Sequence, residues 1–211
     1  MTAARGYSVV LPQGWARVPL RAGTREALDR EVFRRVDRLP AQVPRDQGMA
    51  YRAHVRRTVE RMVRDARRAG GLDLYVPVRA ARPLPASFVV AEIPHGLDAE
   101  PEAALARYAA GYRPGPGEGT PGELRSVGDG LAVRWEYVGR AADGEDAAGP
   151  GAGTGAPASR RVEYVLPVPE DPGRWLAVSH ATPGDGDLGS PYTQALTDLF
   201  DAVMTTFRWT Y

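Results

Sequence analysis

Three kinds of side chain in this sequence could do chemistry: three histidines, two strand glutamates and a dense set of arginines. His54 falls in a basic segment, His95 follows Pro94, and His180 follows Ser179 late in an alternating apolar run. No two of them have the helical or strand spacing that brings ligands onto one metal, and the chain has no cysteine to complete a set. No metal or other cofactor is therefore expected. Ser179 and His180 cannot act together as nucleophile and base, because adjacent strand residues point to opposite faces. There is also no Gly-x-Ser-x-Gly elbow. Gly151-Ala-Gly-Thr-Gly-Ala156 has the glycine density of a phosphate loop. The chain contains no lysine, however, and no strand leads into this run with a helix behind it. It reads as a low-complexity loop.

Glu136 and Glu163 lie on two successive alternating segments. If both face the same side of a sheet, with His180 nearby, they supply the minimum for acid–base work. Arg134 and Arg161 accompany them, so a cross-strand ion ladder is the simpler reading, at about 0.2–1 kcal/mol per pair. Trp15, Trp135, Trp175 and Trp209 read as core anchors.

The arginines are the more distinctive set. All 27 basic residues are arginine, and asparagine is absent too, which fits the codon bias of a high-GC bacterial genome. The net charge of +1 conceals an asymmetry. Residues 1–70 hold 16 arginines against seven acids, and the remainder holds 11 against 19. Within one segment Arg57, Arg61, Arg64 and Arg68 recur at i, i+4, i+7 and i+11, a single helical face. Asp46, Glu60 and Asp65 do not offset it. An acidic protein, nucleic acid or an anionic surface could each bind such a face. The acidic protein ranks first, because a near-neutral chain with an acidic remainder repels an extended polyanion.

The elements that must carry these residues follow from periodicity. Tyr7–Leu11 and Ala16–Pro19 read as short strands paired across the Pro12–Gly14 turn. Thr24 looks like an N-cap for a helix with Leu28, Val32, Val36 and Leu39 on one stripe. A second helix is expected from about Asp46 to Ala69, apolar at Val55, Val59, Met62, Val63 and Ala66 and stopped by Gly70-Gly71. Strands follow at Leu72–Arg79 and Ser87–Ile93, joined by the turn at Arg82–Pro85. A third helix capped by Asp98 runs to Tyr112, and a Gly/Pro stretch spans Pro114–Gly122. Gly130–Gly139, Arg160–Val168 and Arg174–Thr182 read as consecutive antiparallel strands. The flexible loop at about 140–159 belongs between the first two. Ser190-Pro191 opens a last helix that buries Tyr192, Leu196, Leu199, Phe200, Val203 and Phe207 and ends at Phe207-Arg-Trp209. The fold class is α+β: an αβα sandwich with a central antiparallel sheet and the C-terminal helix packed on it.

The opening Tyr7-Ser-Val-Val-Leu-Pro-Gln-Gly-Trp15 and the closing Leu199-Phe-Asp-Ala-Val-Met-Thr-Thr-Phe-Arg-Trp209, with this order of elements, resemble the PsbP-like αβα-sandwich superfamily. That superfamily includes the photosystem extrinsic protein, a Ran-binding nuclear import factor and LpqN-type bacterial lipoproteins. The resemblance implies one domain over residues 1–211, with the basic helix at about 46–69 as an insertion. It also implies a binding or assembly role more than an enzymatic one, and it carries over no functional residue.

At 211 residues and 43% hydrophobic content, one globular domain is affordable. No run approaches the about 20 apolar residues of a membrane-spanning helix. The first residues lack a signal-peptide apolar core, and with no cysteine a cytoplasmic location is expected. The expected function is a non-enzymatic adaptor that binds another protein through Arg57, Arg61, Arg64 and Arg68, in a secretion or envelope-associated assembly. A small enzyme on the polar sheet face and nucleic-acid or anionic-surface binding through the arginine helix are the alternatives.

Overall fold

The computed structural model describes residues 3–37, 45–78, 86–93, 101–111, 120–139, 158–171 and 173–211. Its strands are β1 (Gly6–Ser8), β2 (Trp15–Pro19), β3 (Gly71–Pro77), β4 (Ser87–Ile93), β5 (Glu123–Val127), β6 (Gly130–Gly139), β7 (Ser159–Pro167), β8 (Trp175–Thr182) and β9 (Arg208–Thr210). Its helices are α1 (Thr24–Ala27), α2 (Arg34–Asp37), α3 (Arg45–Arg68), α4 (Pro101–Gly111) and α5 (Pro191–Thr205). A π-helical stretch, Leu28–Phe33, joins α1 to α2.

Seven strands form one antiparallel sheet in the order β2-β3-β4-β8-β7-β6-β5. Strand alternation divides it into two faces. On one face Tyr75, Phe88, Val90, Val162, Tyr164, Leu176 and Val178 meet Phe200, Val203 and Met204 of α5 and Phe207 just beyond it. On the other, Ala16, Val18, Leu74 and Val76 pack under Leu28, Val32 and Phe33 and under Val59, Val63 and Ala66 of α3. At the far end of that second face Val133, Trp135, Val165 and Trp175 pack against Ala104 and Leu105 of α4. Helices thus cover both faces, and the αβα expectation holds, with β6, β7 and β8 consecutive neighbours.

α5 begins where the Ser-Pro pair predicts. The Ser190 side chain accepts from the Thr193 amide at 3.1 Å, and Pro191 occupies the first turn. α3 stops at Gly70, in the left-handed region at φ 75°. A Cβ on Gly71 would come within 2.5 Å of Leu20 Cδ1 and 2.7 Å of the Ala66 carbonyl.

Several local expectations are corrected. β1 does not pair with β2; it pairs with β9, and β2 pairs with β3. The turn at Gly14 is instead held by the Val78 amide, which donates to the Gly14 carbonyl at 2.7 Å. The last helix ends at Thr205, and Arg208–Thr210 is strand. β5 is a strand that the glycine- and proline-rich approach to it hides. Thr24 is the first residue of α1, not its cap, and its hydroxyl donates to the Pro19 carbonyl at 2.7 Å. Tyr192 is 40% exposed and adds nothing to the core. Leu39, the Arg82–Pro85 turn, Asp98 and the 140–157 part of the expected loop lie outside the described residues.

Candidate partner-binding surface

α3 sorts its arginines by angle. Val59, Val63 and Ala66 are buried, and Val55 and Met62 are packed beside them on the same face. On the flank that meets α1 and α2, the arginines are used as stitching. Arg67 donates from Nε to the Leu20 carbonyl at 2.8 Å and from Nη2 to Thr24 Oγ1 at 2.6 Å. Arg56 reaches Asp37 at 3.3 Å and lies 4.2 Å from the centroid of the Phe33 ring, a cation–π contact. Arg52 approaches the same Asp37 carboxylate at 3.9 Å.

The face opposite the core carries Arg57, Arg61, Arg64 and Arg68, and all four are exposed. Arg68 has a loose pair with Asp65 at 3.3 Å between two well-solvated side chains, which contributes little. Arg57, Arg61 and Arg64 have no ion pair among the described residues. Like charges one helical turn apart destabilise a helix by about 0.2–0.5 kcal/mol per pair. Repulsion among the four guanidiniums is therefore mild. Beside it, between α3 and the α1–π-helix segment, runs a groove of about 450 Å³. Its rim includes Arg25, Arg64 and Arg67, against Asp29 and Glu60.

The other candidate chemistry does not assemble. Glu136 lies opposite Val162, and Glu163 lies opposite Trp135. The two carboxylates therefore occupy opposite faces of the sheet, one residue out of the register that a shared ladder needs. Glu136 and His180 lie beneath α5; Glu163 and Arg161 lie on the other side. The Glu136–Glu163–His180 site and the Arg134/Glu136–Arg161/Glu163 ladder are both overturned.

Each group has a structural job where it sits. Arg134 forks onto Asp201 of α5, Nε at 3.0 Å and Nη2 at 2.8 Å, and also bonds Glu136 at 2.8 Å. Glu136 accepts from Arg160 as well, and Arg160 Nη2 donates to Gln194 of α5 at 2.6 Å. Burial pushes the Glu136 carboxyl up, but Arg134 and Arg160 outweigh it and hold it below the usual carboxylate range. The Tyr164 hydroxyl donates to Asp201 at 2.8 Å, and burial raises its pKa. His180 is 2% exposed, stacks on Phe200 with centroids 4.9 Å apart, and bonds the Ser87 carbonyl through Nδ1 at 3.0 Å. Burial depresses it to about 4, so it is neutral near pH 7 and serves the core. Burial raises the Glu163 carboxyl, with the Tyr137 hydroxyl 3.5 Å away. His54 is exposed on α3, and His95 lies outside the described residues.

Sequence spacing gives no sign of Asp201 as the hub of the α5 network. It is one acid on a helix flank, and only the sheet register brings Arg134 and Tyr164 to it.

No protein-family model and no curated protein matches this sequence. Among solved structures the chain is similar to LpqN, described as involved in cell envelope biogenesis of Mycobacterium tuberculosis. The match covers 97% of this chain and 83% of that one, at 11% identity and a TM-score of 0.50. At that identity the likeness is one of fold.

Proposed function

We propose that this chain is a non-enzymatic, PsbP-like protein-binding module that serves an envelope-associated assembly by docking an acidic partner on the outer face of α3. The observation that carries the proposal is the run of Arg57, Arg61 and Arg64, exposed and without ion pairs among the described residues, beside a groove with further arginines on its rim. The fold likeness to a protein of cell envelope biogenesis supports the setting. The near-neutral net charge of +1 supports a local acidic patch on a protein over a long polyanion such as duplex DNA. A cytoplasmic location is part of the same proposal, and fractionation of host cells tests it.

The test is crosslinking in the host. A photoreactive residue replaces Arg61 in one strain and Asp198, exposed on α5 across the sheet, in another. A protein adduct that forms from position 61, is absent from position 198 and carries an acidic segment supports the proposal. Nucleic-acid adducts at position 61, or the same adducts from both positions, overturn it.

A further inference from the structure

On the sheet face away from α3, a cavity of about 330 Å³ opens between the β1–β9 pair and the end of the sheet formed by the edge strand β2 and its neighbour β3. Four arginines line or rim it: Arg5, Arg17, Arg21 and Arg174. They come from three separate stretches of chain, around Arg5, Arg17–Arg21 and Arg174, so no sequence spacing announces the set. Its apolar walls include Leu72 and Trp209. The size is at the small end of ligand pockets.

Three of the four arginines are held in place, not merely near one another. Asp73, 3% exposed, accepts Nε and Nη2 of Arg17 at 2.8 and 2.9 Å and also accepts the Tyr7 hydroxyl. Tyr7 is itself fixed by stacking on Phe207, with centroids 5.4 Å apart. A guanidinium has five N–H donors, and this fork uses two. The remaining edge belongs to a side chain that is still 56% exposed. Arg21 and Arg174 share one carboxylate, Glu92, at 2.6 and 2.9 Å, and Arg174 also lies 3.3 Å from Asp171. Arg5 is exposed and has no ion pair among the described residues. The rim thus sets four guanidiniums against Asp73, Glu92 and Asp171, one negative charge short of balance.

We propose that this cavity binds a small monoanionic amphiphile, a carboxylate with a short alkyl or aryl body. The carboxylate takes the free edge of Arg17 with Arg5 and Arg21, and the body lies against Leu72 and Trp209. A pre-oriented guanidinium binds a carboxylate bidentately, which a point-charge ammonium cannot do. This site is separate from the α3 surface and stands or falls without it.

The test uses octanoate, with octanol and acetate as the body-only and head-only controls. Binding is read by tryptophan fluorescence and by calorimetry. Octanoate is expected to saturate, with octanol and acetate at least about tenfold weaker, since each lacks one half of the recognition. The fluorescence change should vanish in Trp209→Phe. Arg5→Gln/Arg21→Gln keeps the Arg17–Asp73 pair and the melting temperature, and should bind octanoate about tenfold more weakly. Octanol or acetate binding as tightly as octanoate overturns the proposal. So does an unchanged affinity in the double variant, or no saturation by octanoate.

Discussion

Arg134, beneath α5, and Arg61, on the outer face of α3, carry the same guanidinium in opposite settings. Arg134 is 8% exposed and is met by Asp201 and Glu136, each at 2.8 Å. Arg61 is exposed and has no ion pair among the described residues. A guanidinium out of water is tolerable only when carboxylates and hydrogen bonds replace the lost solvent. The α5 network meets that condition, so its arginines are committed to the fold. The α3 stripe leaves its charge to water, so its arginines are not committed to the fold. In a chain whose basic residues are all arginine, residue type says nothing about role, and the distribution of carboxylates decides it.

The largest way to break the comparison is to remove the core that holds α5 in place. Phe207 is fully buried, and Phe207→Ala should cost about 3–5 kcal/mol in denaturant melts. A loss below about 1 kcal/mol would mean that the end of α5 is peripheral. Next, Asp201→Ala takes from Arg134 one of its two carboxylates and from the Tyr164 hydroxyl its acceptor. A loss of about 3 kcal/mol is expected, moderated because Asp201 is partly solvated. If the variant is as stable as the parent, the network is ornamental and the contrast with α3 collapses.

Acid titration sharpens the same contrast. An unfolded imidazole titrates near 6.5, whereas buried His180 takes a proton only near pH 4. Between those values the unfolded chain binds the extra proton. Stability therefore stays full above about pH 6.5 and falls as pH drops toward 4, by on the order of 3 kcal/mol. His180→Phe should lack this component of the acid limb in melts taken from pH 7 to pH 4. An unaltered limb would show that His180 is accessible in the fold. At the small end, Arg57→Gln, Arg61→Gln and Arg64→Gln should each shift stability by no more than about 0.5 kcal/mol, with a slight gain where a like-charge pair is relieved.

How far the sequence could be read follows the same physics. The apolar faces of α3 and α5, the Ser190-Pro191 start and the β6-β7-β8 order rest on local periodicity and are legible. The register of β6 on β7 is not. β6 keeps its charges, Arg134 and Glu136, on one face, but β7 carries charged and apolar residues on both, Arg160 with Val162 and Tyr164 on one and Arg161 and Glu163 with Val165 on the other, so alternation in β7 fits two registers. A one-residue choice then moves Glu163 to the wrong side of Glu136. β1–β9 joins the two ends of the chain and has no local signature. The arginine stripe is legible because a helical face is set by spacing alone. The Arg17–Asp73–Tyr7 cluster is not, since three distant segments build it.

The account turns on whether the α3 stripe is a free binding surface. The most direct measurement titrates the intact protein and its Arg57→Gln/Arg61→Gln/Arg64→Gln/Arg68→Gln variant with an Asp/Glu-rich peptide at several salt concentrations, and with duplex DNA at physiological salt. The account predicts peptide binding that weakens steadily with log salt, at least about tenfold weaker binding by the variant with its melting temperature unchanged, and weaker binding to the duplex. Equal affinity of parent and variant for the peptide, or tighter binding to DNA than to the peptide, would contradict it.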